Sequence, residues 1–160
     1  MSKYPDFVIV DDVPFPEGLM DLLLALPELD KVYDPELKAF MARPLTKVVR
    51  KHMPGTRKNL RFVTGHVHNG SLGIGAHDHK PYRYTSVLYA CDAVGELVVD
   101  PHGRAIEIEP REGRLVIMRG DLVHSVNKSP RGEFRTALVS NYAYPYDSFP
   151  FFKSRSPHEH

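Results

Sequence analysis

From Leu60 to Tyr142 the chain is written in short β-type runs separated by turn residues, and that texture limits the fold more than any other feature. Phe62-Val63, Tyr84 to Ala90, Glu96 to Val99, Ala105 to Ile108, Leu115 to Met118, Leu122 to Val126 and Phe134 to Tyr142 are rich in β-branched, aromatic and other apolar residues. Asp100-Pro101-His102-Gly103-Arg104 between two of these runs is a hairpin signal. Runs of this length are strands rather than helices. Six or more at close spacing predict a β-sandwich or barrel.

The preceding residues read differently. Phe7 to Val10 is a short strand closed by Asp11-Asp12. Pro16 suits the first turn of a helix, and Leu19, Leu22, Leu23 and Leu26 then form an apolar stripe that ends at Pro27. Asp34-Pro35 is a cap followed by proline at the first helical position, and it opens a second helical region. Pro44 must break or kink that region, before Leu45, Val48 and Val49 carry an apolar face to Pro54-Gly55. These helices are expected to cover the outside of a sheet. At 160 residues the chain fits one domain: a strand and helices over about 1–58, a β-barrel core over about 59–143 and an aromatic, proline-rich tail over 144–160.

A formal net charge of +1 gives no electrostatic reason for nucleic acid or an anionic membrane as partner. No stretch approaches the roughly 20 apolar residues of a membrane-spanning helix, and the N-terminus lacks a basic region followed by an apolar run. Cys91 is the single cysteine, which favours a reducing compartment. A soluble cytoplasmic protein is expected.

The residues that suggest chemistry are few. Gly113 to Tyr142 reads as two strands joined by a turn, with His124 on the first and Arg135 on the second. Upstream, His77-Asp78-His79 stands just before Tyr84 to Ala90. In an extended segment His77 and His79 point one way and Asp78 the other, so two imidazoles can hold a metal from one side. His124, among apolar neighbours, is the natural third ligand. Arg135 shares a strand face with Ala137 and Val139; if that face is interior, a permanent cation is buried and needs an anion. Polar loop histidines, and an Arg135 paired with Asp121, Glu107 or Glu109, are the plainer alternatives.

The order His77-x-His79, YTSVLYACDAVGELVV, GRLVIMRGDLVHSV and Arg135 resembles the 2-oxoglutarate- and iron(II)-dependent dioxygenases, closest to their prolyl-hydroxylase-like branch. The resemblance covers roughly Leu60 to Tyr142. It implies a mainly β fold with N-terminal helices, a double-stranded β-helix (jelly-roll) barrel. It also implies Fe(II), 2-oxoglutarate and O2, with His77, His79 and His124 as metal ligands. That family has a carboxylate in the position of His79, so the ligand set here is one negative charge poorer. Arg135 would pair with the far carboxylate of 2-oxoglutarate, eleven residues after His124. Tyr89 and Thr85 match strand positions lining the cosubstrate pocket, and His68 falls near a pocket tyrosine of the family. Members that lack the carboxylate leave a gap for halide; His79 fills it, so halogenation is not expected.

The resemblance implies an oxygenase that couples 2-oxoglutarate decarboxylation to hydroxylation, or a related oxidation, of a small molecule or peptide. Two other readings compete: a three-histidine dioxygenase of the cupin sort that does not use 2-oxoglutarate, and a non-catalytic metal- or ligand-binding barrel. His79 favours the first of these; the Gly120-to-His124 spacing and the missing glutamate after His-x-His count against it. The aromatic tail is a candidate dimer contact, and Gly70 to Gly75 or that tail a candidate lid.

Overall fold

A computed structural model describes residues 4–27 and 30–147. Ten strands and three α-helices are present among them: β1 (Phe7–Val10), α1 (Leu19–Ala25), β2 (Asp30–Lys31), α2 (Pro35–Phe40), α3 (Thr46–His52), β3 (Arg61–Gly70), β4 (Ile74–His77), β5 (Tyr84–Tyr89), β6 (Leu97–Val99), β7 (Ile106–Ile108), β8 (Leu115–Arg119), β9 (His124–Val126) and β10 (Arg135–Ala143). They form two antiparallel sheets. The major sheet runs β1-β8-β5-β10-β3-β2 and the minor sheet β4-β9-β6-β7.

From β3 onward the chain crosses between the sheets: β3, β5, β8 and β10 lie in the major one, and β4, β6, β7 and β9 in the minor one. Eight strands wound in this way make a jelly roll. The expected double-stranded β-helix is therefore the fold. Gly113 to Tyr142 contains three strands rather than two joined by a turn, because Gly120-Asp121 carries the chain from β8 in the major sheet to β9 in the minor one. His124 and Arg135 consequently line one cavity from opposite sheets, which a simple hairpin would not allow.

The helices lie where the sequence predicts. Asp34 caps α2, its carboxylate accepting from the Glu36 and Leu37 amides at 2.9 and 3.1 Å. Pro44 cannot supply an amide proton, and the chain answers with a π-helical turn over Met41–Leu45. The Thr46 hydroxyl donates to the Met41 carbonyl across that turn. α1 begins at Leu19 rather than near Pro16, whose carbonyl accepts the Leu19 amide in the turn before it.

Leu23, Leu37, Met41, Leu45 and Val49 of the helical layer are fully buried in one core with Val67, Leu88, Leu115, Ile117 and Leu138 of the major sheet. A second core fills the space between the sheets, with Val87, Val116, Met118, Ala137 and Val139 opposite Leu97, Val99 and Ile108. Both faces of β10 are thus covered, and all nine of its residues are buried. The first part of the tail folds back on the chain: Tyr144 is buried, stacks on Tyr146 at 5.3 Å and accepts the Arg57 amide on its hydroxyl. The rest of the segment expected to form a dimer contact lies outside the described residues. No helix among the described residues is long and apolar enough to cross a membrane.

Candidate metal centre and anion pocket

The cavity between the sheets is laid out by strand register. On the inner face of the major sheet, Arg135 lies opposite Gly70, Ala137 opposite His68 and Tyr89, and Val139 opposite His66 and Val87. Asn141, the next inward position, lies opposite Thr64 and Thr85. Arg135 thus marks one end of the face and Asn141 the other. The minor sheet supplies the facing wall, where His77 and His124 are direct cross-strand partners on β4 and β9.

His77, His79 and His124 converge. Their ring centroids are 4.4 to 5.2 Å apart, and one nitrogen from each lies within 4.8 Å of the other two. His79 follows the end of β4, its amide donating to the Gly120 carbonyl at 2.8 Å. In each ring Nδ1 faces an oxygen acceptor: the Gly75 carbonyl for His77 at 2.7 Å, the Asn141 amide oxygen for His79 at 2.8 Å and the Leu122 carbonyl for His124 at 2.9 Å. These oxygens only accept, so each Nδ1 carries the proton and each Nε2 keeps a lone pair. An imidazole held in this way is the usual state of a metal ligand. Burial holds His79 below the ordinary histidine range and brings His124 down to about 4, which keeps both rings neutral and ready to bind a cation. The donor set fits a divalent metal that favours imidazole. Asp78 points away, accepting the Lys80 amide at 3.0 Å.

At the other end of the cavity Arg135 is 1 % exposed, the most secluded cation on the described chain. Nη1 donates to the Asn127 carbonyl at 2.6 Å and Nη2 to the Leu72 carbonyl. Among the described residues it has no ion-pair partner; Asp121 pairs with Arg119, and Glu109 with Arg111. The guanidinium needs the absence of a side chain at position 95, where φ is +102° and a Cβ would stand 1.9 Å from Nη1. Tyr89 is buried beside it, and burial pushes its hydroxyl above the ordinary tyrosine range, so it remains a protonated donor.

His77, His79, His124, Arg135, Tyr89 and His68 all line this one cavity of about 80 Å³. Thr85 does not. It lies four residues before Tyr89, level with Asn141, and its hydroxyl donates to the Ser140 carbonyl at 3.0 Å. Two polar residues of this inner face escaped the sequence reading, one lining the cavity and one just beyond it. His66 shares a strand face with His68 and lines the wall, and burial lowers its pKa. Asn141 is the next step of the Arg135, Ala137, Val139 alternation. Both were within reach of period-two counting. The candidate lid between Gly70 and Gly75 is a short link between β3 and β4, tied down by the Leu72 carbonyl on Arg135 and the Ser71 carbonyl on the Ser129 amide.

No family model matches the sequence, and no curated protein is similar enough in sequence to match it. Solved structures do match the fold. An oxidoreductase of the 2OG-Fe(II) oxygenase family from Burkholderia pseudomallei superposes with a TM-score of 0.64 at 20% identity, covering 86% of this chain and 84% of that one. A prolyl-4-hydroxylase from Pseudomonas putida gives 0.62 at 16% identity, covering 89% and 94%. The epimerase SnoN, solved in complex with Fe3+, alpha ketoglutarate and nogalamycin RO, gives 0.69 at 13% identity, covering 95% and 86%. The fold is therefore that of the 2-oxoglutarate/iron(II) oxygenases, as the resemblance implied.

Proposed function

We propose that the chain is a non-haem iron oxygenase that couples 2-oxoglutarate decarboxylation to hydroxylation, or a related oxidation, of a small molecule or peptide. The observation that supports this best is a fully buried guanidinium, in no ion pair among the described residues, in the same cavity as three convergent imidazoles. His77, His79 and His124 would hold the metal through Nε2. Arg135 and the Tyr89 hydroxyl would grip the far carboxylate of 2-oxoglutarate, with His68 beside it on β3. Iron and cosubstrate, when bound, supply the oxidising chemistry. The chain orients them, and its buried walls keep water out. A cavity this size is well under the roughly 300–1,000 Å³ of drug-sized sites, so it leaves no room for a large substrate beside the metal. The substrate to be oxidised would approach from the rim.

Iron(II) loaded anaerobically and titrated with 2-oxoglutarate should give a saturable, weak visible charge-transfer band. Iron binding with no band would move the reading to a three-histidine dioxygenase that binds its substrate directly, which the neutral ligand set at His79 favours. Arg135→Ala separates the two. It abolishes the band in the first case and spares the activity in the second. A half-buried, single Cys91 suits a cytoplasmic setting.

A further inference from the structure

The three imidazoles of the centre are not held alike. His77 and His124 each give Nδ1–H to a backbone carbonyl two residues earlier in the chain. Almost any sequence at positions 75 and 122 would offer that carbonyl. His79 is held by a side chain, the amide of Asn141, from a strand of the other sheet and 62 residues away. Asn141 is 7 % exposed and sits between β3 and β5, where the β10–β3 register slips by one residue immediately beside it. Such irregularities commonly re-aim a side chain at a functional site.

We propose that Asn141 is the positioning residue that makes His79 a metal ligand. This rests on the reading of His79 as a ligand given above. The amide oxygen fixes the tautomer with Nε2 unprotonated and sets the ring plane toward His77 and His124. It does so without charge, so the centre stays a neutral three-imidazole site. Without Asn141 the His79 ring loses the acceptor that chooses between its two nitrogens. Either nitrogen can then carry the proton, and the ring can turn about its side-chain bonds. Losses of roughly 10- to 100-fold in metal affinity are usual when such a partner is removed.

Cobalt(II) is the probe, because its affinity can be measured by chelator competition and its visible d–d bands report ligand geometry without turnover. Asn141→Ala and Asn141→Leu, the second close in shape but with no acceptor, should each bind cobalt roughly 10- to 100-fold more weakly, with altered bands. Asn141→Asp, which keeps the acceptor, should bind at least as tightly as the wild type. Thermal melting of each metal-free variant reports folding, and Asn141→Leu carries the test if the alanine variant does not fold. The decisive comparison repeats the Leu substitution in a His79→Ala chain, where it should cost nothing further. An unchanged affinity and spectrum in both Ala and Leu variants overturns the proposal. So does an equal loss with and without His79, which would mark a merely structural role. Cobalt binding unaffected by His79→Ala alone would overturn the ligand reading itself, and the role of Asn141 with it.

Discussion

The two faces of β10 carry the same backbone into two different environments. Leu138 and Tyr142 face the helices and complete an apolar core, and the Tyr142 hydroxyl is satisfied by Ser86 at 2.9 Å while burial pushes it up to about 12. One residue out of phase, Arg135, Ala137, Val139 and Asn141 face the minor sheet, with a cation at one end and an amide at the other. The helix-side face buries groups that need no ligand. The inner face buries a cation held by two backbone carbonyls and in no ion pair among the described residues, and an amide whose oxygen accepts from His79. A strand can hold both because its side chains alternate, so stability and chemistry are separable on one strand.

The sharpest way to break that separation is to damage the helix-side face alone. Leu138 is fully buried among the helices' leucines, and Leu138→Ala should cost about 2–5 kcal/mol in unfolding free energy, from lost burial and the cavity left behind. Denaturant titration measures it. The affinity of the folded variant for cobalt(II) should be unchanged, and a parallel loss of both would show that the faces are coupled.

The converse is Arg135→Ala. The guanidinium has two backbone carbonyls for partners and, among the described residues, no carboxylate within ion-pair distance; Glu96 acts on it only from further off. Removing it should weaken 2-oxoglutarate binding by roughly a hundred-fold or more, the scale of losing one partner of a buried charge pair. Metal affinity should be retained. Calorimetric titration of 2-oxoglutarate into the metal-loaded variant checks the first, and cobalt(II) competition against a chelator checks the second.

How far each face was legible in the sequence follows from the same geometry. The apolar face shows in β-branched runs, and the crossing order of the strands follows from the resemblance and not from the runs themselves. His77, His79, His124 and Arg135 are readable because their chemistry is unusual among apolar neighbours. Asn141 is a common residue: alternation from Arg135 puts it on the inner face, but its importance depends on a partner 62 residues away that no local pattern marks. Thr85 shows the opposite failure. Alternation puts it on the Tyr89 face, but four residues of strand, about 13 Å, carry it toward the Asn141 end. The three apolar runs between Gly113 and Tyr142 match three strands; joining them into two was wrong because a sheet-switching turn and a hairpin turn draw on the same residues, here Gly120-Asp121.

The difference between the faces should also appear in pH. His66, His79 and His124 all line the inner cavity, and burial is the largest cause that lowers each of their pKa values. In the unfolded chain these rings titrate near the ordinary histidine value of about 6.5. Below that pH the unfolded state binds more protons than the native one, so metal-free stability falls as pH falls. For His124 the loss runs down to its native value of about 4, at no more than about 1.4 kcal/mol per pH unit. Thermal melts of metal-free protein between pH 7.5 and pH 5, each pH a value roughly bracketing that ordinary pKa, should show a steady decline. His124→Gln should make it shallower, leaving the share of His66 and His79. A melting temperature independent of pH over that range would mean that the cavity admits water enough to charge its histidines.

The smallest effect tests the anion end alone. Tyr89 is buried against Arg135 and stays protonated, so its hydroxyl has one proton to give to a carboxylate held by that arginine. Tyr89→Phe keeps the ring, and with it the packing against the inner core. It removes a single hydrogen bond, worth about 0.5–1.5 kcal/mol net and somewhat more to a charged acceptor. The 2-oxoglutarate dissociation constant should therefore rise by roughly 2- to 10-fold, while metal affinity and melting temperature hold. In an Arg135→Ala background the same change should do little, since the carboxylate it serves is no longer anchored. Equal costs in the two backgrounds would separate Tyr89 from the anion pocket and return it to the core.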